Sequence, residues 1–518
     1  MTSKAKYQFK AKGNYIDGAF TVAADPTGRF ASISPADTKD ELGQFSYSYA
    51  DIDRAVDAAQ KAFQSWRKVK PAERAECLKR YQAVLKKRLD EVTEAIARET
   101  GKPLWEAKTE ANAMIQKVDI TLTDGLKLIE ARAFPGILPG SETADGIWSY
   151  RPLGVMAVLG PFNFPGHLPN GHIVPALATG NTVVFKPSEK TPLVGQIMAE
   201  CFDEAQFPKG VFNLVQGERE VGRRISTHEG VSGVLFTGSY EVGLRIRQET
   251  LHHHWKLLAL EMGGKNASIV LEDAPFETAL REVFLASFIS AGQRCSCTSR
   301  VLVHESLLDR FVERLHTNAK AFAIGHPFDN PFMGPVIDRS AVDRYLKFLG
   351  IGVREGAELV MRGKEITPAS GHAGHYISPS IAVYKDAAAT LTALRKSVLF
   401  QTEVFGPLVT VVPFKTDAEA IELANLVEYG LVASVFSKSR ERYQEVAADL
   451  EVGLINWNRS TVGASSKLPF GGLKKSGNFL PTSVTASYYC THPVATIEVA
   501  QPNDQPPSPE SYPGLNWS

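Results

Sequence analysis

The chain has 518 residues, of which 44% are hydrophobic and 22% are charged. This length exceeds the size at which a single hydrophobic core stops growing, so two or more domains are expected, and the composition is that of an ordinary soluble globular enzyme. Lysine plus arginine and aspartate plus glutamate both number 57, so no basic excess predicts a nucleic-acid partner.

The cysteine content and the N-terminus indicate a compartment. Five cysteines, an odd and sparse number for this length, favour reduced thiols over a disulfide framework. The N-terminus has a basic start but no apolar stretch behind it of the kind a secretion signal carries. No uninterrupted apolar run reaches the ~18 residues that a membrane helix requires. We therefore expect a cytoplasmic protein with no membrane partner.

Residues 50–131 have the pattern of consecutive helices. Apolar residues at 52, 55, 56, 59 and 63 follow the helical repeat. A second helix is expected from Pro71, because proline is well tolerated in a first helical turn. The sequence Gly-Lys-Pro at 101–103 predicts the end of one helix before another begins at Leu104.

From residue 153 the pattern changes to short apolar runs separated by Gly, Pro or polar residues, with helical segments between most of them. This alternation predicts buried parallel strands joined by crossover helices, a doubly wound α/β domain. Ligands in such sheets bind at the carboxyl ends of the strands. Asn163, Lys186, Gln216 and Ser239 lie just past those ends. The predicted strands are 155–159, 182–185, 211–215 and 233–236.

A second α/β block is expected from about residue 267 to residue 457, with strands at 268–270, 300–303 and 408–412. The last residues, 501–518, are rich in proline and polar residues, so they are expected at the surface with little regular structure. Three consecutive histidines at 252–254 point in different directions, and no Cys or carboxylate spacing completes a ligand set. No metal site is expected.

Three separated residues together supply the chemistry of aldehyde oxidation through a thioester. Cys295, in Gly-Gln-Arg-Cys at 292–295, offers a thiolate that is both a good nucleophile and a good leaving group. Glu261, at a strand end beside Gly263 and Gly264, can deprotonate a hydrolytic water. The Asn163 amide can donate to an oxyanion. Taken alone, these residues could equally be a buried apolar cysteine, an exposed acidic cap and a turn former.

Seven blocks in the chain resemble those of the aldehyde dehydrogenase superfamily, in the same order. The resemblance implies that Cys295 is the nucleophile, with Cys297 a neighbour of no required role. It also implies that Asn163 and the Cys295 N–H form the oxyanion hole. Glu261 would be the base, which suggests water and not coenzyme A as the acyl acceptor. The blocks are 160–165, 186–189, 236–243, 261–266, 292–295, 403–407 and 469–472.

The resemblance also implies NAD as the cofactor. The usual Gly-x-Gly-x-x-Gly is absent, but the spacing at 238–243 is the looser one with which this superfamily brings backbone N–H groups to the pyrophosphate. Lys186 and Glu189 would contact the adenine ribose, where a carboxylate repels the 2′-phosphate of NADP. The residues expected at the cofactor are Lys186, Glu189, Gly238, Ser239, Gly243, Glu403 and Phe405, the last two at the nicotinamide ribose and ring.

A narrower resemblance concerns the substrate. Residues 164–172, 456–459 and 476–478 are similar to the succinylglutamic semialdehyde dehydrogenases of arginine catabolism, and 458–464 resembles the carboxylate-anchoring loop of the glutamate semialdehyde (pyrroline-carboxylate) dehydrogenases. This implies an anionic semialdehyde, N-succinylglutamate 5-semialdehyde first and glutamate 5-semialdehyde second. A catalytically retired dehydrogenase fold that only binds ligands is the alternative of another class. The candidate anchors are Arg294, Arg459, Ser460, Gly463 and Ala464; Arg294 could instead lower the Cys295 pKa or belong to an ion pair.

The family fold divides the chain into domains. An NAD-binding domain of 1–131 and 154–262 and a catalytic domain of 263–456 are expected. Segments 132–153 and 457–500 would form an oligomerisation and substrate-loop element, which implies a homodimer or larger homo-oligomer. One departure from the superfamily stands out. The second glutamate often found beyond the Ser-Gly of its Phe-Gly-Gly block is absent, and Asn478 follows Gly477 instead.

Overall fold

The computed structural model describes residues 5–138, 144–369, 371–385 and 390–500, so the predicted tail at 501–518 lies outside it. Within the described residues, no helix is both long and apolar enough to cross a membrane. The helices are α1 Ala50–Trp66, α2 Pro71–Lys87, α3 Leu89–Thr100, α4 Leu104–Ile120, α5 His167–Ala178, α6 Pro192–Glu204, α7 Arg219–Thr227, α8 Tyr240–Glu249, α9 Phe276–Phe288, α10 Leu308–Ala321, α11 Arg339–Arg354, α12 Thr390–Lys396, α13 Val398–Gln401, α14 Asp417–Asn425, α15 Arg440–Ala448 and α16 Ala486–Tyr489.

The strands form two large sheets and several small ones. They are β1 Asn14–Ile16, β2 Ala19–Thr21, β3 Gly28–Ile33, β4 Glu41–Tyr47, β5 Arg132–Phe134, β6 Ala144–Pro152, β7 Val155–Leu159, β8 Thr182–Lys186, β9 Phe212–Leu214, β10 Gly233–Thr237, β11 Leu257–Glu261, β12 Asn266–Val270, β13 Thr298–His304, β14 Glu358–Met361, β15 Ser380–Val383, β16 Leu408–Phe414, β17 Tyr429–Gly430, β18 Val432–Phe436, β19 Leu454–Trp457, β20 Pro469–Phe470, β21 Leu473–Lys474, β22 Thr482–Ser483 and β23 Thr491–Val499.

The helical region begins as predicted with α1 and α2. A break at Arg88, which the apolar pattern did not indicate, separates α2 from α3. Gly101 ends α3 in the left-handed conformation with φ of +76°, and a Cβ there would lie 2.5 Å from Pro335 Cγ, so this turn requires glycine. Helix α4 follows from Leu104 and forms part of the active-site wall described below.

The first large sheet has the order β11-β10-β7-β8-β9-β1-β2. Its first five strands are parallel, and the β1–β2 hairpin, which was not predicted, adds to one edge in antiparallel orientation. The four predicted strands are all present, because continuous apolar runs suit strands covered by helices on both faces. Lys186 is the last residue of β8, whereas it was expected just past the strand end.

The second large sheet has the order β14-β15-β16-β13-β12-β18-β19, parallel except for β14 at its edge. The three strands predicted in this half of the chain belong to it. Only residues 262–265 separate the end of β11 in the first sheet from the start of β12 in the second. Glu261 therefore lies where the chain passes between the two sheets.

A third sheet joins distant parts of the chain. Strand β6 pairs with β23 in antiparallel orientation from Ala144↔Val499 to Pro152↔Thr491, and β5 pairs with the other edge of β6. These strands come from the two segments predicted to form one oligomerisation element. The two segments therefore share one sheet that is separate from the two large sheets. The limits of the domains stay a prediction.

Candidate active site

The loop that carries Cys295 has an unusual backbone. Ser290 and Ala291 have φ of 54° and Gly292 has φ of 72°, a left-handed stretch that non-glycine residues rarely adopt. A Cβ on Gly292 would lie 2.2 Å from the carbonyl oxygen of Gly406. The loop therefore passes tightly against the segment that carries Glu403 and Phe405.

Asn266, the first residue of β12, holds this loop from the other side. Its Nδ2 donates to the carbonyl oxygens of Cys295 at 2.6 Å and Cys297 at 2.9 Å, and its Oδ1 accepts from the Val432 N–H at 3.2 Å. Sequence reasoning did not single out Asn266, although it closes the Glu-Met-Gly-Gly-Lys-Asn block. The side chain fixes the backbone on both sides of Ser296.

The surroundings of the Cys295 thiol favour its protonated form. Burial, followed by the charges of Glu403, Glu261 and Cys297, raises its pKa to about 12. Arg294, one candidate for lowering this pKa, is not among the main influences on it. Cys297 does not line either of the cavities described below; it packs in a small apolar cluster with Ala286, Ile289 and Val462.

Glu261 ends β11 with a buried carboxyl group. Its Oε2 has no hydrogen-bond partner among the described residues, and burial raises the pKa of the carboxyl well above its usual range. The Thr482 backbone N–H opposes that rise. A buried carboxyl with a raised pKa and one free oxygen is suited to exchange protons with a water or a substrate at Cys295.

Residues 476–478 hold the strand end that carries Glu261. The Asn478 side chain accepts from the Leu260 N–H at 2.9 Å and donates to the Leu258 carbonyl at 2.6 Å. The Ser476 carbonyl accepts from the Met262 N–H, and its hydroxyl donates to the Gly263 carbonyl. Asn478 thus has a supporting role at the position that departs from the superfamily pattern.

Asn163 lies within reach of the same loop. Its Nδ2 donates to the Gln293 carbonyl oxygen at 3.0 Å, two residues before Cys295. An amide nitrogen carries two hydrogens, so this bond leaves one N–H for a ligand. Asn163 and Cys295 both line the larger cavity described next.

The larger cavity, of about 720 Å³, extends from Cys295 along the carboxyl ends of the first sheet. Ser239 caps α8 at its edge, with its Oγ accepting from the Val242 N–H at 3.4 Å. Gly243 does not line it; a Cβ there would lie 2.5 Å from Met262 Sδ, so this glycine allows α8 to pack closely. The other six residues expected at the cofactor all line the cavity: Lys186, Glu189, Gly238, Ser239, Glu403 and Phe405.

The polar groups of this cavity are partly satisfied within the chain. Lys186 Nζ donates to the Pro187 carbonyl at 2.8 Å and lies 3.4 Å from Glu189 Oε2. Glu403 accepts from the Gly264 N–H at 2.8 Å, and burial raises its pKa to about 7. Phe405 has φ of 56° and meets Phe162 edge to face with the ring centroids 5.9 Å apart.

A second, smaller cavity of about 190 Å³ borders Cys295 and is lined by residues of α4 and α5. We call it the substrate cavity. Thr109, Glu110, Ala113 and Lys117 of α4 line one wall, at spacings that place them on one helix face. The rest of the lining is Phe164, His167, Leu168, Gly171, His172, Arg294, Cys295, Ser296, Gly463, Ala464, Ser466, Phe470, Thr482 and Ser483.

The five candidate anchors occupy different places. Gly463 and Ala464 line the substrate cavity. Arg294 also lines it, but its Nη2 is 2.9 Å from Glu106 Oε1, which favours the ion-pair alternative. Arg459 and Ser460 are not among the lining residues: Arg459 donates to the Gly463 carbonyl at 3.0 Å and Ser460 Oγ accepts from the Val462 N–H at 3.1 Å. These two residues support the loop.

Sequence reasoning missed the contribution of α4. Glu106, Glu110 and Lys117 are all buried, although charged residues at helical spacing are usually found on solvated faces. The sequence did carry one signal for a buried face: these three charged residues share a helix face with Ala113, whereas the other charged residues of α4, Lys108 and Asp119, lie on the opposite face. Without the position of α5 against α4, that face could not be assigned to the interior.

Comparison with known proteins agrees with this geometry. The profile of the aldehyde dehydrogenase family matches residues 21–489. The chain is 39% identical over 458 residues to N-succinylglutamate 5-semialdehyde dehydrogenase of Novosphingobium aromaticivorans, a match that covers 87% of this chain and 93% of that protein. Proteins of the same name from several Burkholderia species are 37–39% identical.

Two solved structures extend the comparison. Betaine aldehyde dehydrogenase of Staphylococcus aureus in complex with NAD+ has a TM-score of 0.88 at 30% identity, with 95% of this chain and 96% of that chain covered. The 1-pyrroline-5-carboxylate dehydrogenase from Thermus with bound NAD has a TM-score of 0.87 at 30% identity, with 95% and 94% covered. The chain belongs to the aldehyde dehydrogenase family.

Proposed function

We propose that this aldehyde dehydrogenase oxidises N-succinylglutamate 5-semialdehyde to the corresponding acid, with NAD as the hydride acceptor. The observation that carries the proposal is that Cys295 borders two cavities, the larger along the carboxyl ends of the first sheet and the smaller lined by polar and basic side chains. The name shared by the relatives from Novosphingobium and Burkholderia supports this particular substrate.

The larger cavity fits a dinucleotide. Its volume lies in the range of small-molecule and cofactor sites, and the N-terminus of α8 at Ser239 suits a pyrophosphate. Lys186 and Glu189 would hold the adenosine ribose, and Glu403 and Phe405 the nicotinamide ribose and ring. NAD held there would supply the hydride acceptor for the oxidation.

The residues of the chain account for the remaining chemistry. Cys295 Sγ would give up its proton to solvent and add to the aldehyde carbon, while the Asn163 amide and the Cys295 N–H donate to the resulting oxyanion. Loss of hydride from that carbon leaves a thioester on Cys295. Glu261 then takes a proton from water, the water oxygen attacks the thioester carbon, and the thiolate leaves. The sum is aldehyde, NAD+ and water to acid, NADH and a proton.

The substrate cavity would bind the acidic part of the substrate. Gly463 and Ala464 lie at its wall, where their backbone N–H groups would suit a carboxylate. Arg459 would act through the loop, because it donates to the Gly463 carbonyl. Glutamate 5-semialdehyde is the second candidate, favoured by the resemblance of residues 458–464 and by the similarity to the Thermus enzyme.

The proposed function is tested by NADH production from N-succinylglutamate 5-semialdehyde, glutamate 5-semialdehyde and butanal, with Cys295→Ala as the control. We expect the highest kcat/KM with the succinylated substrate and no turnover in the variant. A higher kcat/KM with glutamate 5-semialdehyde would select the second candidate, and a higher value with butanal would refute both. NAD binding without turnover of any aldehyde would indicate a retired enzyme.

Assembly and compartment are also part of the proposal. The sheet of β5, β6 and β23 exposes Phe134, Trp148, Ile497 and Val499, a set of apolar side chains suited to contact with a second copy. We expect a homodimer or a larger homo-oligomer formed through this sheet. All five cysteines are free, which supports a reducing compartment such as the cytoplasm.

A further inference from the structure

Lys117 of α4 is a buried lysine beside the substrate cavity. Lys117 is only 1% exposed to solvent, yet it lines the substrate cavity. None of the hydrogen bonds or ion pairs among the described residues involves its ammonium group, and burial lowers its pKa to about 8. An ammonium held out of water without a counter-charge is costly, so its presence at a cavity points to a ligand that supplies the charge.

The other charged groups around the substrate cavity neutralise one another. Lys102 Nζ lies 2.7 Å from Glu110 Oε2, and Arg294 Nη2 lies 2.9 Å from Glu106 Oε1. Of the charged residues that line the cavity, Glu110 and Arg294 are paired in this way, whereas Lys117 has no ion-pair partner among the described residues.

Two histidines of α5 complete the surroundings of Lys117. Burial, helped by the Lys117 charge, lowers the pKa of His167 to about 4 and of His172 to about 3, so both are neutral at neutral pH. His172 uses both ring nitrogens, Nδ1 with Tyr489 Oη at 2.8 Å and Nε2 with Thr237 Oγ1 at 3.2 Å. His167 Nδ1 has no partner among the described residues.

We propose that Lys117 binds a carboxylate of the semialdehyde substrate and thereby selects anionic over uncharged aldehydes, with His167 Nδ1 as a second polar contact. The inference rests on the proposed function in that the substrate is an anionic semialdehyde. N-Succinylglutamate 5-semialdehyde carries two carboxylates. The backbone N–H groups at Gly463 and Ala464 suit one of them, and Lys117 provides a separate charged contact for the other.

The test is substitution of Lys117 by methionine, an unbranched side chain one atom shorter than lysine that removes the charge. Lys108→Met on the same helix is the matched control, because Lys108 is exposed and does not line the cavity. Both variants are assayed with saturating NAD on N-succinylglutamate 5-semialdehyde and on butanal. Thermal unfolding is measured in parallel.

We expect Lys117→Met to lower kcat/KM for the succinylated substrate by about 10- to 100-fold, mainly through KM, as for the loss of a hydrogen bond to a charged group. Its kcat/KM for butanal should stay within about two-fold of the parent value, because the chemistry at Cys295 is untouched. The unfolding temperature should not fall, because the variant removes an unpaired buried charge. Lys108→Met should change none of these values.

Two outcomes would overturn the inference. An unchanged kcat/KM for the succinylated substrate would show that Lys117 does not contact it, and an equal loss with both aldehydes would show a structural role. Failure of the parent enzyme to oxidise the succinylated substrate would refute the proposed substrate instead. In that case the effect of Lys117→Met on kcat/KM would be compared between succinic semialdehyde, which has one carboxylate, and butanal. A loss with succinic semialdehyde alone would support the inference, and an equal effect on both aldehydes would overturn it.

Discussion

Substitution of Glu106 by leucine removes the carboxylate that pairs with Arg294 in the wall of the substrate cavity. The Glu106 side chain is 1% exposed and that of Arg294 is 13% exposed. Glu106 Oε1 also accepts from the Ser290 hydroxyl, which in turn accepts from Arg294 Nε at 2.7 Å. Among the described residues, the change therefore leaves the partly buried guanidinium with the Ser290 hydroxyl as its remaining hydrogen-bond partner.

The size of the effect follows from the burial of the pair. Breaking a buried ion pair on one side destabilises a protein by about 3–5 kcal/mol. The lower end applies here because Arg294 borders a cavity that water can enter. For a domain of some 200 residues, about 3 kcal/mol corresponds to a fall of roughly 6–12 °C in the unfolding temperature. The double variant Glu106→Leu with Arg294→Met removes both charges and should recover most of that loss.

Differential scanning calorimetry of the parent, the two single variants and the double variant measures this coupling. We expect both single variants to unfold at lower temperature and the double variant to unfold near the parent. An unchanged unfolding temperature in Arg294→Met, with a loss of kcat/KM for the anionic substrate alone, would refute the ion-pair account. It would restore Arg294 as a substrate anchor.

Two further predictions concern the nucleophile loop. Because burial and nearby carboxylates raise the pKa of Cys295, alkylation by iodoacetamide in the absence of NAD should accelerate with pH well above the ordinary midpoint of about 8.5, and a midpoint at or below that value would contradict the structure. Asn266→Leu should lower kcat about 10- to 100-fold while NAD binding stays within about two-fold, because it releases the carbonyls of Cys295 and Cys297 but lies outside the cofactor cavity. Equal loss of NAD binding in that variant, with no change in the partly exposed control Asn112→Leu, would indicate general disruption instead.

The local sequence predicted much of the fold, because buried parallel strands are continuous apolar runs and their ends carry the polar residues of a site. The runs at Val155–Leu159 and Leu408–Phe414 illustrate this, since both are strands in the structure. The β1–β2 hairpin escaped prediction because its residues are few and only partly apolar.

The candidate site was predictable where the chemistry resides in one short segment and not where it depends on distant pairs. Cys295 and Glu261 stand in recognisable contexts. The pairing of Glu106 with Arg294 joins residues 188 positions apart, and no local pattern reports it. Lys117 was overlooked for a related reason: a lysine on an amphipathic helix is usually solvated, and only the packing of α5 against α4 buries this one.

In the proposed reaction, Cys295 carries a thioester that Glu261-activated water releases. The most direct test is intact-protein mass spectrometry of Glu261→Gln after mixing with NAD and N-succinylglutamate 5-semialdehyde. Without the base, steady-state turnover should fall by about 10²- to 10⁴-fold, and the protein should gain the mass of the aldehyde less two hydrogen atoms, mapped by peptide analysis to Cys295. Turnover at the parent rate with no adduct, or an adduct that persists in Cys295→Ala, would contradict the account.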